Sequence, residues 1–416
     1  MNISLDFKTQ VLRGQVSLPA SKSISNRVLI IHALADSDMP VENLADCDDT
    51  KSMLEVLSSD GTCFHVGHAG TAMRFLTAFL ARVVGKWELT GSERMKQRPI
   101  GVLVDALNQL GAHIDYRERI GFPPLIISGS YLVGGEIEIP ASVSSQYISA
   151  LMMIAPYMEK GLTIKLEGKV VSGTYIDMTV QIMREFGANV RREGAVIRIE
   201  AQPYVAIPFR VESDWSAASY FFELLAIAEG GSLSLRGLSQ NSMQGDARQV
   251  EVWEKLGVKA GFTGEDVILT LTARQVSRLE FDFVEMPDLV QSFAVACCVM
   301  GIPFVFRGVE TLRIKETDRI AALMVELAKL GYCLKADGDN KLSWEGGTCK
   351  PMAGPEIETY HDHRMAMAFA PAVLKHKGLV IVDKDVVTKS FPGYWEEMNK
   401  IGIFARNSGV LKGKAR

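Results

Sequence analysis

Two kinds of segment recur along the chain, and the placement of apolar residues defines both. The first is a polar opening followed by a helical run that is apolar almost all round. It occurs as SKSISNRVLIIHALA from Ser21, GHAGTAMRFLTAFLA from Gly67 and SSQYISALMMIAPYM from Ser144. It returns as SDWSAASYFFELLAI from Ser213, MPDLVQSFAVACCVM from Met286 and DHRMAMAFAPAVL from Asp362. A helix without a solvent face belongs inside a domain. Five of the six runs lead into a short β-type segment opened by glycine: GKWELTG, GLTIKLEG, GSLSLRG, GIPFVFRG and GLVIVDK. The second recurring segment is an amphipathic helix ending in a small phrase: QLGA, EFGA, KLGV, KLGY and KIGI. Its glycine is the residue type that closes a helix in the left-handed conformation.

The closing glycines are Gly111, Gly187, Gly257, Gly331 and Gly402, separated by 76, 70, 74 and 71 residues. A sixth candidate, Gly61, lies only 50 residues before Gly111. The spacing predicts six repeated βαβαββ-type units, the first shortened by about one hairpin. Solenoid repeats are usually shorter, so two globular domains of three units each are expected. Apolar helices inside and sheets outside invert the usual layering, giving a two-domain, inside-out α/β barrel. Such helices would present their N-termini, with free N–H groups and a positive dipole end, at one side of each domain. Two such sides make a cleft for anions; the plainer alternative is that the polar openings are only N-caps.

Composition narrows the class. At 416 residues, with 47% hydrophobic and 23% charged residues, the chain reads as two or three ordinary globular domains, not disorder or collagen. A net charge of −4 from 45 basic and 49 acidic residues excludes a uniformly basic nucleic-acid binder, though not a local basic cleft. The N-terminal MNISLDFKTQVLRGQV alternates like a strand and lacks the apolar centre of a signal peptide. A long uncharged stretch, Leu289 to Phe306, is broken by Gly301-Ile-Pro303 and reads as buried helix, turn and strand. The six cysteines, Cys47, Cys63, Cys297, Cys298, Cys333 and Cys349, form no C-x-x-C pair. They read as reduced, buried packing thiols of a cytoplasmic protein.

Five stretches are more specific. They are Pro19-Ala-Ser-Lys22-Ser-Ile-Ser-Asn-Arg27, Gly67-His-Ala-Gly70-Thr-Ala-Met-Arg74, Arg94-Met-Lys-Gln-Arg98-Pro-Ile-Gly, Leu312-Arg-Ile-Lys315-Glu316-Thr-Asp-Arg319 and Asp362-His-Arg364-Met-Ala-Met. With Val143-Ser-Ser-Gln146, Asn241-Ser-Met-Gln-Gly-Asp246 and Thr388-Lys389-Ser-Phe-Pro392, they resemble the 5-enolpyruvylshikimate-3-phosphate synthases, in order over almost the whole chain. The resemblance implies a two-domain fold with central helices. One domain spans residues 20–214; the other joins 1–19 to 215–416, with the active site in the cleft between them. It implies transfer of the enolpyruvyl group of phosphoenolpyruvate to the 5-hydroxyl of shikimate 3-phosphate by addition and elimination, in aromatic amino-acid biosynthesis. No metal and no organic cofactor are implied. A monomer, and competition by glyphosate for the phosphoenolpyruvate site, are.

That reaction needs groups for two phosphates and two carboxylates, and groups that give and take protons. By resemblance, shikimate 3-phosphate falls to Lys22, Ser23, Arg27, Ser144, Ser145, Gln146, Ser172, Tyr175, Asp288, Thr311 and Lys315. Phosphoenolpyruvate falls to Lys22, Gly70, Arg98, Gln146, Arg319, Arg364 and Lys389. Asp288 would accept the hydroxyl proton, Glu316 would protonate the methylene, and Lys315 would steady the developing charge, with Lys22 also catalytic. Arginine suits planar carboxylate and phosphate groups, and lysine supplies a movable point charge.

The residues taken bare leave alternatives open. Lys315-Glu316-Thr317-Asp318-Arg319 is also an ordinary charged helix start, and any one arginine is more often a surface ion pair. His361-Asp362-His363 is a weak metal pattern. Several residues depart from the family pattern: His68 and Phe75 beside the phosphoenolpyruvate motif, Gly173-Thr174 beside Tyr175, Thr311, and His361 before Asp-His-Arg. Two rivals are considered. A uridine-diphosphate N-acetylglucosamine enolpyruvyl transferase would carry a loop cysteine, which Gly91–Pro99 lacks. A catalytically silent anion-binding protein of the same fold would have lost Asp288, Lys315, Glu316 or the arginines, and all are present.

Overall fold

The computed structural model describes residues 1–142, 144–168 and 170–407; Val143 of the quoted motif lies outside the described residues. Its α-helices are, in chain order, α1 (Lys22–Leu34), α2 (Asp48–Leu57), α3 (Gly70–Arg82), α4 (Gly101–Gln109), α5 (Ser145–Ile154) and α6 (Gly173–Glu185). They continue as α7 (Trp215–Ile227), α8 (Gln249–Lys255), α9 (Val290–Val299), α10 (Arg319–Lys329), α11 (His363–Phe369) and α12 (Tyr394–Lys400). The odd-numbered helices are the apolar runs, and they are buried along most of their length. The even-numbered helices are mostly half-exposed. The glycines that close α4, α6, α8, α10 and α12 have φ between +81° and +104°, where a Cβ is costly. In α2 a serine replaces this device: the Ser58 hydroxyl donates to the Leu54 carbonyl, 2.8 Å away.

Among the described residues, five four-stranded sheets share one spatial order. Two strands run parallel, and two antiparallel strands follow. One sheet runs Cys63–His65, Gly85–Thr90, Leu125–Gly129, His113–Tyr116, with Gly85 opposite Gly129 and Leu89 opposite Leu125. The same order holds for Gly135–Pro140, Leu162–Glu167, Val196–Ile199, Val190–Glu193. It holds again for the sheets centred on Gly230–Arg236, Phe304–Arg307 and Val380–Ile381. The sixth sheet is only a parallel pair, Val41–Glu42 with Phe209–Arg210. None of these sheets closes into a barrel. The N-terminal segment is two strands in two sheets: Ile3–Phe7 lies beside Ile403–Asn407, and Val11–Ser17 lies parallel to Gly230–Arg236.

The chain divides into two compact units, Ala20–Val211, and Met1–Pro19 with Glu212–Arg416, of which residues to 407 are described. The second crossing falls three residues before the expected 214/215. Backbone hydrogen bonds account for the difference. Val211 N–H donates to Glu42 O in one unit, whereas Ser213 N–H donates to Gly237 O and Asp214 N–H to Pro19 O in the other. Within Ala20–Val211, α1, α3 and α5 touch one another; in the other unit α7, α9 and α11 do the same. Around α9 the core is aromatic: Trp253 stacks on Phe293 at 4.1 Å, and Phe283 packs against Phe293 and Phe306. Burying each such side chain is worth about 1.5–3 kcal/mol.

One expectation fails in part. Cys47, Cys297 and Cys298 are buried, but Cys63 and Cys333 are exposed and Cys349 is half-exposed. Cys297 and Cys298 sit on the all-buried α9. Cys63 is an outward position on a strand, and Cys333 and Cys349 lie beyond the end of α10, where no layer covers them.

Candidate active site

In the unit Ala20–Val211, the expected residues sit at the openings of α1, α3, α5 and α6. Lys22 is the first residue of α1, and its ammonium lies 3.2 Å from the buried Asp49 carboxylate. Ser21, just before it, is fully buried and its hydroxyl has no partner. Arg27, one turn further along α1, is also buried. Its guanidinium donates to Thr179 Oγ1 (2.8 Å), Ser149 Oγ (3.1 Å), Ser23 O (2.8 Å) and Tyr175 O (3.5 Å), and lies 5.3 Å from the Phe75 ring centroid. None of these partners is a carboxylate, and burial lowers its pKa to about 10.

Ser144 caps α5, its hydroxyl accepting from Gln146 N–H; Ser145 is the first residue of that helix. The Gln146 amide donates to Thr71 Oγ1 at 3.1 Å, which links α5 to the start of α3. Gly70 opens α3 against Arg98. A Cβ at Gly70 would fall 2.5 Å from Arg98 Nη1 and 2.9 Å from Nη2. Arg98 is 8% exposed, and its Nε has no hydrogen-bond partner. Ser172, ahead of α6, is buried at φ +57°, a costly conformation for a residue with a side chain. The structure thus brings Ser23, Arg27 and Tyr175 together, Gln146 with the start of α3, and Gly70 with Arg98.

In the other unit, the charged residues form one continuous network. Arg319, the first residue of α10, is 1% exposed and meets three carboxylates. Its Nε donates to Asp362 (2.7 Å), Nη1 to Asp288 (2.9 Å) and Nη2 to Glu316 (3.1 Å). Asp288 also accepts from Arg364 Nη2 at 3.0 Å and faces Lys315 Nζ at 3.6 Å. Glu316 accepts from Lys389 Nζ at 2.7 Å. Burial by itself would raise the Asp288 pKa, but Arg364, Lys315 and Arg319 together outweigh it and hold the carboxyl well below its usual range. Burial lowers Lys315 despite the pull of Asp288. Asp246, whose carboxylate accepts from Ser216 Oγ, is pushed up to about 7 by burial and then by the nearby Asp288 charge.

The family described as EPSP synthase (3-phosphoshikimate 1-carboxyvinyltransferase) matches residues 7–65 and 58–398. The chain belongs to the EPSP synthase family. A 3-phosphoshikimate 1-carboxyvinyltransferase of Bacteroides fragilis is 49% identical over 393 residues, covering 94% of this chain and 96% of that protein. One of Photobacterium damsela subsp. piscicida is 38% identical over 420 residues, covering 94% and 97%. Among solved structures, an EPSP synthase from Acinetobacter baumannii superposes with a TM-score of 0.76 over 97% of this chain and 99% of that one. At 23% identity that likeness concerns the fold. These relatives do not favour the N-acetylglucosamine transferase reading.

The geometry also explains where this member departs from the EPSP synthase pattern. Phe75 is fully buried on α3 and lies against the Arg27 guanidinium of α1. His68 Nδ1 lies 3.0 Å from Ser92 Oγ. His361 has φ +57°, a left-handed conformation in which histidine and asparagine are both enriched. Asp362 is occupied by Arg319 and by the Arg364 N–H that it caps, an arrangement unlike a metal ligand. The stretch Lys315–Arg319 does contain a helix start, with Asp318 capping α10 and Arg319 its first residue, while Lys315 and Glu316 lie just before the cap. Thr311 sits in the single turn Glu310–Ile314, its buried hydroxyl unpartnered.

Sequence reasoning gave no role to Asp49, Thr71, Asp246 or Asp362, which pair with Lys22, Gln146, Ser216 and Arg319. Thr71, Asp246 and Asp362 at least lay inside quoted motifs. Asp49 lies in the first turn of an amphipathic helix, where acids are common, and nothing nearby in sequence marks it.

Proposed function

We propose that the chain transfers the enolpyruvyl group of phosphoenolpyruvate to the 5-hydroxyl of shikimate 3-phosphate, releasing phosphate. The observation that carries the reading beyond family membership is the network in which Arg319, Arg364, Lys315 and Lys389 surround the two acids the reaction needs, Asp288 and Glu316. In this proposal Lys22, Ser23, Arg27, Ser144, Ser145, Gln146, Ser172, Tyr175 and Thr311 serve shikimate 3-phosphate. Lys22, Gly70, Arg98, Gln146, Arg319, Arg364 and Lys389 serve phosphoenolpyruvate.

The resting network poses a chemical problem. A carboxylate held by three cations is a weak base, yet Asp288 must take the proton of the 5-hydroxyl. Glu316 accepts from two cations, yet must carry a proton to the methylene. Both difficulties ease if the phosphate and carboxylate of phosphoenolpyruvate draw Arg319, Arg364 and Lys389 onto themselves. The two acids then lose cationic neighbours and gain proton affinity as substrate binds. Lys315, its own pKa lowered by burial, stays near Asp288 to steady the attacked oxygen. Phosphate leaves from the tetrahedral intermediate into the same basic surroundings.

The finer architecture belongs to the same reading. The five like-ordered sheets and the two-stranded pair are six copies of one βαβαββ unit, the first without its hairpin, wrapped outside central helices as in an inside-out barrel. Three copies fall in each domain. A cytoplasmic monomer inhibited by glyphosate at the phosphoenolpyruvate site completes it. The test is phosphate release by purified protein given both substrates, with Asp288→Asn beside it. Release should require both compounds and fall by about 10²–10⁴-fold in the variant, the usual share of a positioned general base. An Asp288→Asn variant of near-normal rate would remove Asp288 from the proposed role. No release with both substrates present would leave a silent binder.

A further inference from the structure

Beyond the active site lies a pair of thiols that the reaction does not use. The chain leaves α10 through Gly331, makes one antiparallel bridge between Tyr332 and Thr348, and holds it with two backbone hydrogen bonds. Cys333 N–H donates to Gly347 O and Cys349 N–H to Gly331 O, each at 3.0 Å. Tyr332 and Thr348 point to one face of this ladder. Cys333 and Cys349, one step further along each strand, point together to the other, as a diagonal pair. The Cys349 thiol donates to the Ala328 carbonyl at 3.5 Å, and Cys333 lies close enough to raise its pKa. Cys333 is exposed and Cys349 half-exposed, so an oxidant reaches both.

We propose that Cys333 and Cys349 are a redox-active dithiol, which closes to an intramolecular disulfide when the protein meets a peroxide. The Cys333 sulfur, as thiolate, attacks one oxygen of hydrogen peroxide; the O–O bond breaks, hydroxide leaves, and Cys333 becomes a sulfenic acid. The Cys349 sulfur then attacks the Cys333 sulfur, the S–O bond breaks, and the second hydroxide leaves. The two thiol protons convert both hydroxides to water. In sum, two thiols and one peroxide give one disulfide and two waters: the sulfurs are oxidised and the peroxide oxygens reduced. A dithiol reductant reverses the closure by exchange. The order of events follows exposure: Cys333 is the more exposed thiol and meets the oxidant first, whereas Cys349, its thiol bonded to Ala328 O and its pKa raised by Cys333 and by burial, acts second. The bond ties the chain end of α10 to the segment after Lys341–Trp344 and closes the loop that contains Lys335–Asp337.

The experiment uses the full-length protein, reduced and then treated with stoichiometric hydrogen peroxide, with intact mass and peptide maps read under denaturing conditions. The expected product has lost two hydrogens, carries a Cys333–Cys349 cross-linked peptide, has two fewer alkylatable thiols, melts at a higher temperature and returns to the start with a dithiol. Cys333→Ser and Cys349→Ser each abolish the loss of two hydrogens, while Cys63→Ser leaves it unchanged. The proposal is overturned if oxidation yields only sulfenic or higher oxides at Cys333, or only dimers joined between chains. It is equally overturned if the two-hydrogen loss persists in Cys349→Ser.

Discussion

Gly70 is where a single methyl group should have the largest effect for its size. A Cβ at this position falls 2.5 Å from Arg98 Nη1, 2.9 Å from Nη2 and 3.0 Å from Cζ. Ordinary contacts of this kind are about 3.5 Å, so the guanidinium must retreat by about 1 Å in Gly70→Ala. Little resists that retreat, because the Arg98 Nε has no partner, and little room absorbs it, because the residue is almost buried. A misplacement of about 1 Å in a positioning group costs on the order of 10²-fold, about 2.7 kcal/mol of transition-state stabilisation. The loss should fall on kcat/KM for phosphoenolpyruvate, with the KM for shikimate 3-phosphate nearly unchanged. Steady-state kinetics with each substrate varied in turn reads both. The decisive arm is the pair: if Gly70→Ala acts by moving Arg98, it adds almost nothing on an Arg98→Ala background. Losses that multiply in the double variant, or a Gly70→Ala enzyme within about 3-fold of the parent, would refute this reasoning.

Three further substitutions probe other parts of the structure. Phe75→Leu removes the ring beside the Arg27 guanidinium, an interaction worth about 2 kcal/mol when desolvated. Titration should show shikimate 3-phosphate binding weakened by roughly ten-fold or more; equal weakening of both substrates would deny the link to Arg27. Arg319→Lys keeps one charge but cannot reach Asp362, Asp288 and Glu316 together. It should lower kcat by more than about 10²-fold and reduce the denaturation midpoint, and a variant of normal stability and rate would show the fork to be dispensable. Glu223 is fully buried on α7 with both oxygens unpartnered, and burial raises its carboxyl well above the ordinary 4.5. Its folded pKa lies above its unfolded one, so stability is complete below about pH 4.5 and is lost as pH rises toward the folded value, at about 1.4 kcal/mol per unit. Glu223→Leu should therefore stabilise the protein, and more at pH 8 than at pH 5; parallel urea midpoints across that range would count against a neutral, unpartnered Glu223.

The sequence was most informative where one element carries its own signal. The apolar odd-numbered helices, the glycines that close five of the even-numbered ones, and the glycine-opened strands are local patterns, and each was legible. What was illegible depends on pairing across distance. Ile3–Phe7 and Val11–Ser17 look like one alternating run, yet they join different sheets, because only their partners near residues 403 and 230 distinguish them. Cys333 reads as a packing thiol until the bridge to residue 348 sets it beside Cys349 on an uncovered face. The candidate site divides in the same way. Ser144 as a cap follows from its own position, whereas the contact of Phe75 with Arg27, or of Asp362 with Arg319, joins separate helices and leaves no trace in either motif.

The two units hold their cations differently, and the difference bears on what each can do. In Ala20–Val211, Arg27 is satisfied by hydroxyls, carbonyls and a ring, with no carboxylate among those partners, and the Nε of Arg98 is unpartnered. A buried cation held by neutral groups already bears a desolvation cost, so an anion arriving at Arg27 has no carboxylate to displace, unlike one arriving at Lys22, which faces Asp49. In the other unit, Arg319, Arg364, Lys315 and Lys389 are already engaged with acids. An anion there must compete with Asp288 and Glu316, and its arrival changes the proton affinity of both. The first arrangement suits a site that grips; the second suits a site that must alter its acids when it fills. A measurement separates them: proton uptake on adding phosphoenolpyruvate should shrink in Arg364→Gln, which already lacks one of the charges holding Asp288, and should survive in Arg98→Gln, where no acid depends on the arginine. If both variants took up protons as the parent does, the acids would not be coupled to the anion, and Asp288 would need some other source of basicity.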